Sequence, residues 1–109
     1  MHELSITSGV LRQVLAAAQG ARRVTRINLL VGAEAGVVPD CVRFYFGRLA
    51  QGTPAEGAAI DFATVPLRIR CPKCGREASG VDDMCDCNAG GEVVSGCELV
   101  VESIDVEET

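Results

Sequence analysis

Apolar positions in the first third of the chain follow two different periods. From Leu4 to Gln19 they recur about every three to four residues, which predicts an amphipathic helix ended by Gly20. Its apolar stripe consists of Leu4, Leu11, Leu15 and Ala18, with Val10 and Val14 beside it. From Arg23 to Val31 apolar and polar residues alternate, which predicts a strand. One face of that strand carries Thr25, Ile27, Leu29 and Val31.

A second helix is predicted from Pro39 to about Gln51. Pro39-Asp40 is a start signal, and Gly52-Thr53-Pro54 ends the helical pattern. The apolar face of this helix consists of Val42, Tyr45, Phe46 and Leu49. Phe44 falls nearly opposite, so we expect it either to pack under a loop or to contact a partner.

The rest of the chain holds two strand patterns around a Cys-rich segment. A strand is predicted from Ala59 to Arg70, with a phase slip at Val65-Pro66 that indicates a bulge or an edge position, because proline cannot donate to a ladder. Residues 71–97 contain few large apolar groups and cannot form a hydrophobic core of their own. The tail from Glu98 to Val106 is again strand-like. We expect it to return to the first sheet, with Val100, Ile104 and Val106 on one face.

Composition narrows the class of protein. With 109 residues the chain forms one domain, or one domain with a small satellite. Aromatic residues make up only 4%, so the core is expected to be thin and aliphatic. Such a small domain is expected to need an additional cross-link that stabilises it. The sequence contains neither an apolar run long enough for a membrane span nor a basic leader before an apolar stretch. We therefore expect a cytoplasmic protein.

Charge is distributed unevenly around a net value of −5. Residues 1–70 carry eight arginines and five acids, whereas residues 71–109 carry Lys73 and Arg76 against ten acids. An acidic balance disfavours nucleic-acid binding, which depends on neutralising phosphates. The acidic tail is either a solvated surface or an electrostatic surface for a basic partner.

Four cysteines in residues 71–97 have the spacing of a structural zinc site. Cys71-Pro72-Lys73-Cys74-Gly75 forms a knuckle whose tight turn directs backbone N–H groups at the sulfurs. Cys85 and Cys87 follow after ten residues. Four thiolates leave no open coordination position, which indicates a structural metal that folds a segment lacking a core.

The second cysteine pair leaves alternatives open. It has one intervening residue instead of two, and Asn88, which tolerates the left-handed conformation, replaces the expected glycine. Cys97 is therefore a possible substitute for Cys85 or Cys87. The competing interpretations are disulfides and an iron site of rubredoxin type, although the latter normally uses two full knuckles. Cys41, on the second helix, is expected to be a small buried hydrophobe.

The chain start offers a second metal site. The Met1 α-amine, the His2 backbone amide and the His2 imidazole can close on one ion in fused chelate rings, and the Glu3 carboxylate can add a fourth donor. Deprotonating an amide requires a metal that prefers square-planar nitrogen donors, such as Ni(II) or Cu(II). His2 is the only histidine in the chain. It is either such a ligand or a frayed, solvated residue of the kind that is common at chain ends.

The sequence lacks paired carboxylates, a nucleophile–base pair and a phosphate loop, so we do not expect an enzyme. The leading hypothesis, which depends on the family resemblance described below, is a nickel carrier. The rival is a zinc-ribbon adaptor that binds a protein or nucleic acid and carries no nickel. That adaptor would explain the cysteines but would leave Met1-His2-Glu3 without a role.

Several segments together resemble the HypA/HybF family of nickel metallochaperones for [NiFe]-hydrogenase maturation. They are the opening Met1-His2-Glu3-Leu4-Ser5-Ile6, the stretch Arg43-Phe44-Tyr45-Phe46 followed by Gly52-Thr53, the Cys71 knuckle and the ending from Gly96 to Glu108. The resemblance covers the chain in order and length. It implies a GTPase called HypB and the large subunit of the hydrogenase as partners.

The resemblance also implies a fold and two metal sites. The fold would be α+β, with two helices packed on a small mixed β-sheet and a zinc-ribbon-like domain inserted before the last strand. Residues 1–70 plus 98–109 would form the nickel-binding domain, and residues 71–97 the zinc domain. By motif match, His2 carries over as the nickel ligand with Met1 and Glu3 adjoining. Zinc would be held by Cys71, Cys74, Cys85 and Cys87, the second pair being one residue shorter than in the family. Cys97 falls where the family usually has Asn or Asp.

Overall fold

The structure is a computed structural model that describes residues 2–108, with the backbone alone for His2 and Val81. Helices α1 and α2 cover His2–Ala17 and Pro39–Leu49, and a short 3-10 helix covers Val81–Asp83. The strands are β1 (Arg23–Gly32), β2 (Ala59–Val65), β3 (Arg68–Arg70), β4 (Glu77–Ala78), β5 (Glu92–Ser95) and β6 (Leu99–Glu107). The predicted α+β class, with two helices and small mixed sheets, is confirmed within the described residues.

β1 is the central strand of the first sheet, whose order is β2-β1-β6. Its partners on β6 fall in number as β1 advances, from Glu107 beside Arg22 to Glu98 beside Gly32, so the two strands are antiparallel. β2 follows β1 through α2. It runs parallel to β1, because the N–H groups of Val24 and Ala33 donate to the carbonyls of Pro54 and Val65, so that residue numbers rise together along the pair. The last strand therefore returns to the first sheet, as the sequence predicts.

The chain divides into two compact units, and the first consists of Met1–Leu29, Val37–Ala63 and Val100–Thr109. In this unit α1 packs against α2, and Val42 and Phe46 on the predicted face of α2 are buried. Phe44 does not pack under a loop. Its side chain is 58% exposed, and its ring contacts Tyr45 edge-on and the guanidinium of Arg48.

The predicted stripe of α1 is displaced by one residue. Its buried positions are Thr7, Val10, Val14 and Ala18. Leu11 and Leu15 are half-buried and border a groove with Leu49. The buried stripe therefore passes through Thr7, a polar residue, instead of through Leu11 and Leu15.

Two strand faces also differ from the prediction. In β1 the buried residue near the start is Val24, whereas Thr25 points away from the core and donates a hydrogen bond to the carbonyl of Asp105 at 3.2 Å. In β6, Val100 is exposed, whereas Leu99 and Val101 are half-buried. In β6 the adjacent apolar residues Leu99, Val100 and Val101 leave the phase of the alternation ambiguous. In β1 the buried positions change from even to odd numbers between Val24 and Ile27, which a strict alternation does not predict.

The strand predicted from Ala59 to Arg70 is two strands. β2 ends at Val65, and β3 begins at Arg68 in a second sheet of order β4-β3-β5. Pro66 lies at the break, and its carbonyl accepts a hydrogen bond from the Ser95 hydroxyl at 2.9 Å. The missing N–H of proline ends the first ladder, and the chain then changes sheets.

The second unit consists of Leu30–Gly36 and Thr64–Leu99. Its sheet is antiparallel, with Ile69 opposite Ala78 on one side of β3 and Val93 on the other. Among its described side chains, the buried apolar ones are Val31, Cys71 and Ala78, so hydrophobic burial contributes little here. The division into domains of residues 1–70 plus 98–109 and residues 71–97 stays a prediction.

Segment 30–36 is built into the second unit by backbone hydrogen bonds. The N–H groups of Gly32, Ala33 and Glu34 donate to the carbonyls of Glu98, Val65 and Gly96 at 2.7, 2.8 and 2.7 Å. The backbones approach so closely that a Cβ on Gly32 would overlap the carbonyl group of Gly96.

Candidate metal centre

The first knuckle is closed by its own backbone. The N–H groups of Lys73 and Cys74 donate to the Cys71 sulfur at 3.4 and 3.5 Å. The Cys71 N–H donates to the Arg76 carbonyl at 2.8 Å, and the Gly75 N–H donates to the Cys71 carbonyl at 2.9 Å. Gly75 leaves the turn with a φ of +79°, which glycine adopts without strain. These hydrogen bonds fix the position of the Cys71 sulfur within the turn.

The structure brings together the thiols of Cys71, Cys74, Cys85 and Cys87, whose sulfur atoms all lie within 4.8 Å of one another. In tetrahedral zinc sites the Zn–S distance is about 2.3 Å, which places the sulfurs about 3.8 Å apart. A contraction of at most about 1 Å would bring all four sulfurs onto one ion. The cluster therefore fits a four-thiolate zinc ion held by the two knuckles, with no coordination position left for catalysis.

Asn88 completes the second, shorter turn. It has a φ of +54°, and it alone has a positive φ among the described residues other than glycine. Asparagine tolerates this left-handed conformation better than most residues, so it takes the place that glycine has after the first knuckle. The chain thereby turns away after Cys87 while the two sulfurs of this pair face the first knuckle.

The two remaining cysteines lie outside the four-thiol group. Cys97 is exposed, and Cys41 on α2 is half-buried instead of buried as expected. All six cysteines fall within the described residues and are free thiols, so the structure contains none of the disulfides considered from the sequence.

The thiols of the cluster differ in acidity. The backbone N–H of Cys74 lowers the pKa of Cys71 to about 6, with that of Lys73 adding to the effect. The neighbouring thiol of Cys85 raises the pKa of Cys87 to about 12. For Cys85 itself, the backbone N–H of Cys87 acts to lower the pKa, but the Cys71 and Cys74 thiols outweigh it and the pKa is raised. Cys71 is thus a ready thiolate at neutral pH, whereas a cation is needed to ionise Cys85 and Cys87.

The predicted nickel site lies largely outside the described residues. Met1 is not described, nor is the side chain of His2, whose backbone forms the start of α1. Glu3 is described and half-buried. Its carbonyl accepts a hydrogen bond of 2.6 Å from the hydroxyl of Thr7, a contact that the sequence analysis missed. The sequence feature that could have indicated this contact is a threonine beside the apolar stripe of an amphipathic helix.

No helix between His2 and Glu108 is long and apolar enough to cross a membrane.

Comparison with known proteins relates the whole chain to one family. The family model for hydrogenase/urease nickel incorporation, metallochaperone, hypA matches residues 1–106. The hydrogenase maturation factor HypA of Dehalococcoides mccartyi strain CBDB1 is 40% identical, and the alignment covers 99% of this chain and 96% of that protein. The protein of the same name from Geobacter metallireducens is 41% identical, with 98% and 100% coverage.

Solved structures agree with the fold. The solution structure of the Ni metallochaperone HypA from Helicobacter pylori matches with a TM-score of 0.75 at 16% identity, covering 98% of each chain. A second solution structure, of a HypA protein, gives 0.78 at 17% identity, with 97% and 96% coverage. At these identities the likeness concerns the fold.

Proposed function

The chain belongs to the HypA family of hydrogenase/urease nickel-incorporation metallochaperones, and from that premise we propose that it binds Ni(II) at its N-terminus and delivers it for [NiFe]-hydrogenase maturation. The family consists of metallochaperones and maturation factors, not of catalytic enzymes. The observation that carries the proposal is that the family match begins at residue 1 and includes Met1-His2-Glu3.

In the proposed site, the cargo is bound by consecutive nitrogens of the chain start. The Met1 α-amine, the His2 amide nitrogen and the His2 imidazole form the chelate, and Glu3 adds a carboxylate. Because α1 begins at His2, the His2 amide has no acceptor in the helix, and its deprotonation breaks no helical hydrogen bond. The positive end of the helix dipole opposes a cation, whereas the ionised amide and the Glu3 carboxylate offset that charge.

A chain-end site also suits release. A chain end can move without displacing the rest of the chain, and the donors compete with protons. Nickel affinity should fall as the pH drops below the ordinary amine and imidazole values of about 8 and 6.5. Delivery to an acceptor protein would depend on this ready dissociation of the nickel ion.

For the second metal we propose a structural zinc ion held by Cys71, Cys74, Cys85 and Cys87. The four convergent sulfurs and the small hydrophobic core of the second unit support this role. The metal would stabilise this unit and thereby its surface for partners. The proposed partners are the GTPase HypB and the hydrogenase large subunit, and a cytoplasmic location follows from that function.

The nickel proposal is tested on untagged, zinc-loaded protein by calorimetric titration with Ni(II). We expect His2→Ala to lose one nickel site while zinc content and circular dichroism remain those of the native chain. Extending the N-terminus by Gly-Ser should weaken binding although every side chain is retained, because it moves the α-amine. The same extension at the C-terminus is the matched control and should have no effect. Equal nickel stoichiometry in native and His2→Ala protein would instead favour the zinc-ribbon adaptor.

A further inference from the structure

Thr7 is buried at a position where an aliphatic residue would pack as well. Its exposed fraction is 0%, and it lies on the stripe that otherwise consists of Val10, Val14 and Ala18. Thr7 is the one buried polar or charged side chain of the described residues. A hydroxyl in such a place needs a hydrogen bond, since an unpaired buried hydroxyl is unfavourable.

That hydrogen bond connects Thr7 to the chain start. The hydroxyl donates to the Glu3 carbonyl at 2.6 Å, one helical turn towards the N-terminus. In the helical pattern the same carbonyl accepts the Thr7 N–H, so the hydroxyl is an additional donor to the first turn. Such a bond from a threonine to the carbonyl four residues earlier adds nothing to the stability of a helix as a whole and often bends it. Its effect here is local, because it attaches the Glu3 carbonyl to a side chain that is buried in the core.

We propose that Thr7 is a positioning residue for the nickel site, whose buried hydroxyl holds the Glu3 carbonyl and thereby orders the first turn of α1 for metal binding. This inference rests on the proposed function of the chain start. The first turn of a helix frays because its N–H groups have no acceptors. A donor anchored in the core and attached to Glu3 limits that fraying next to His2. Less conformational entropy is then lost when the chain end closes around the ion.

The test separates the hydroxyl of Thr7 from its methyl group. Thr7→Val keeps the volume and removes the hydroxyl. Nickel affinity should fall about three- to tenfold, the equivalent of one net hydrogen bond, while the thermal unfolding midpoint stays at or above that of the native chain. Thr7→Ser keeps the hydroxyl and removes a buried methyl group. It should unfold at a lower temperature yet bind nickel within about twofold of the native protein. A merely structural role would move affinity and stability together.

Thr25→Val is the matched control, because it removes the same atoms from a threonine whose hydroxyl donates to the Asp105 carbonyl on the sheet. Affinities for Ni(II) are measured by calorimetry on zinc-loaded chains, and unfolding is followed by circular dichroism. Unchanged or tighter nickel binding by Thr7→Val, or equal loss in Thr7→Ser, would overturn the assignment.

Two further comparisons keep the outcomes distinguishable. If Thr7→Val does not fold, Thr7→Ser and Thr7→Ala replace it, since they share the missing methyl group and differ in the hydroxyl alone; equal nickel affinity in that pair also overturns the role of Thr7. Retention of the nickel site in His2→Ala, by contrast, refutes the proposed function itself.

Discussion

At the scale of single residues, the backbone crossing at Gly32 admits no side chain. Gly32 is buried, and its N–H donates to the Glu98 carbonyl at 2.7 Å. A Cβ there would meet backbone atoms of Gly96 and Cys97, which cannot rotate away as a flexible side chain can. The space at this crossing, more than the backbone conformation of Gly32, requires glycine.

Gly32→Ala should therefore destabilise the protein by about 1–3 kcal/mol or more, because the two backbones must separate. The measurement is urea unfolding of the zinc-loaded chain, followed by circular dichroism. Gly9→Ala is the control. Gly9 lies inside α1 with nothing within 4 Å of the added Cβ, and the change should raise stability by about 0.5–1 kcal/mol. If Gly32→Ala and Gly9→Ala changed the free energy of unfolding equally, the close approach of the backbones at Gly32 would be contradicted.

At the scale of elements, prediction succeeded where one period dominated. Val42, Tyr45, Phe46 and Leu49 recur at helical spacing, and α2 buries or half-buries all four. In α1 several apolar residues lie side by side, so more than one stripe fits, and only packing selects the one through Thr7 and Val10. Pro66 marked an irregularity in the sequence. Whether it produces a bulge or a change of sheet depends on long-range partners such as Ser95, which no local pattern contains.

The knuckles allow a pH prediction. Because the pKa values of Cys85 and Cys87 are raised, zinc binding at neutral pH displaces protons from these thiols, and affinity falls as the pH drops. The pKa of Cys71 is lowered to about 6, so this thiol is ionised above that pH and adds to the proton competition only below it. The decline in zinc affinity should become steeper below about pH 6, where protonation of Cys71 adds up to about a tenfold loss of affinity per pH unit.

Competition with a chromogenic chelator between pH 5.5 and 8 measures this decline. Cys97→Ser should give the same curve, because Cys97 lies outside the four-thiol group. An affinity independent of pH would contradict displacement of protons from the thiols.

At the scale of the whole molecule, the two units have different sources of stability. The first unit buries aliphatic and aromatic side chains from both helices and the central strand, among them Val14, Ile27 and Phe46. In the second unit, the few buried apolar groups include Cys71 itself. We therefore expect loss of zinc to affect the second unit selectively.

Cys71→Ser tests this expectation against Cys97→Ser. The first variant should lose zinc and the dispersed amide signals of residues 71–97, while the helical circular dichroism persists. Cys97→Ser should retain both metal and signals. Metal analysis measures the zinc content of the two variants, and heteronuclear NMR records their amide signals. Global unfolding of Cys71→Ser would contradict two separately stabilised units, and loss of zinc from Cys97→Ser would contradict the proposed ligand set.

Sequence reasoning predicted the order of α1, β1, α2, β2 and β6 and the region of the cysteine cluster. It missed β4 and β5, and it left open which thiols converge. The spacing between Cys71 and Cys74 is itself a turn, so this pair was evident from the sequence. The grouping of Cys85 and Cys87, with Cys97 outside, depends on how the chain folds back after Asn88. That path is set by contacts remote in sequence. The assignment of His2 stays a prediction, since its side chain lies outside the described residues.

The contribution of segment 30–36 to the second unit affects how the protein can be dissected genetically. A clone of residues 64–99 would include every thiol of the cluster, yet the carbonyls of Val65, Gly96 and Glu98 would lose their N–H donors. If residues 64–99 alone were exchanged between homologues, the carbonyls of the transferred module would face segment 30–36 of the recipient protein instead of their own. A functional chimera must therefore also transfer segment 30–36, which comprises the end of β1 and the residues after it, although more than twenty residues separate it in sequence from the rest of the module.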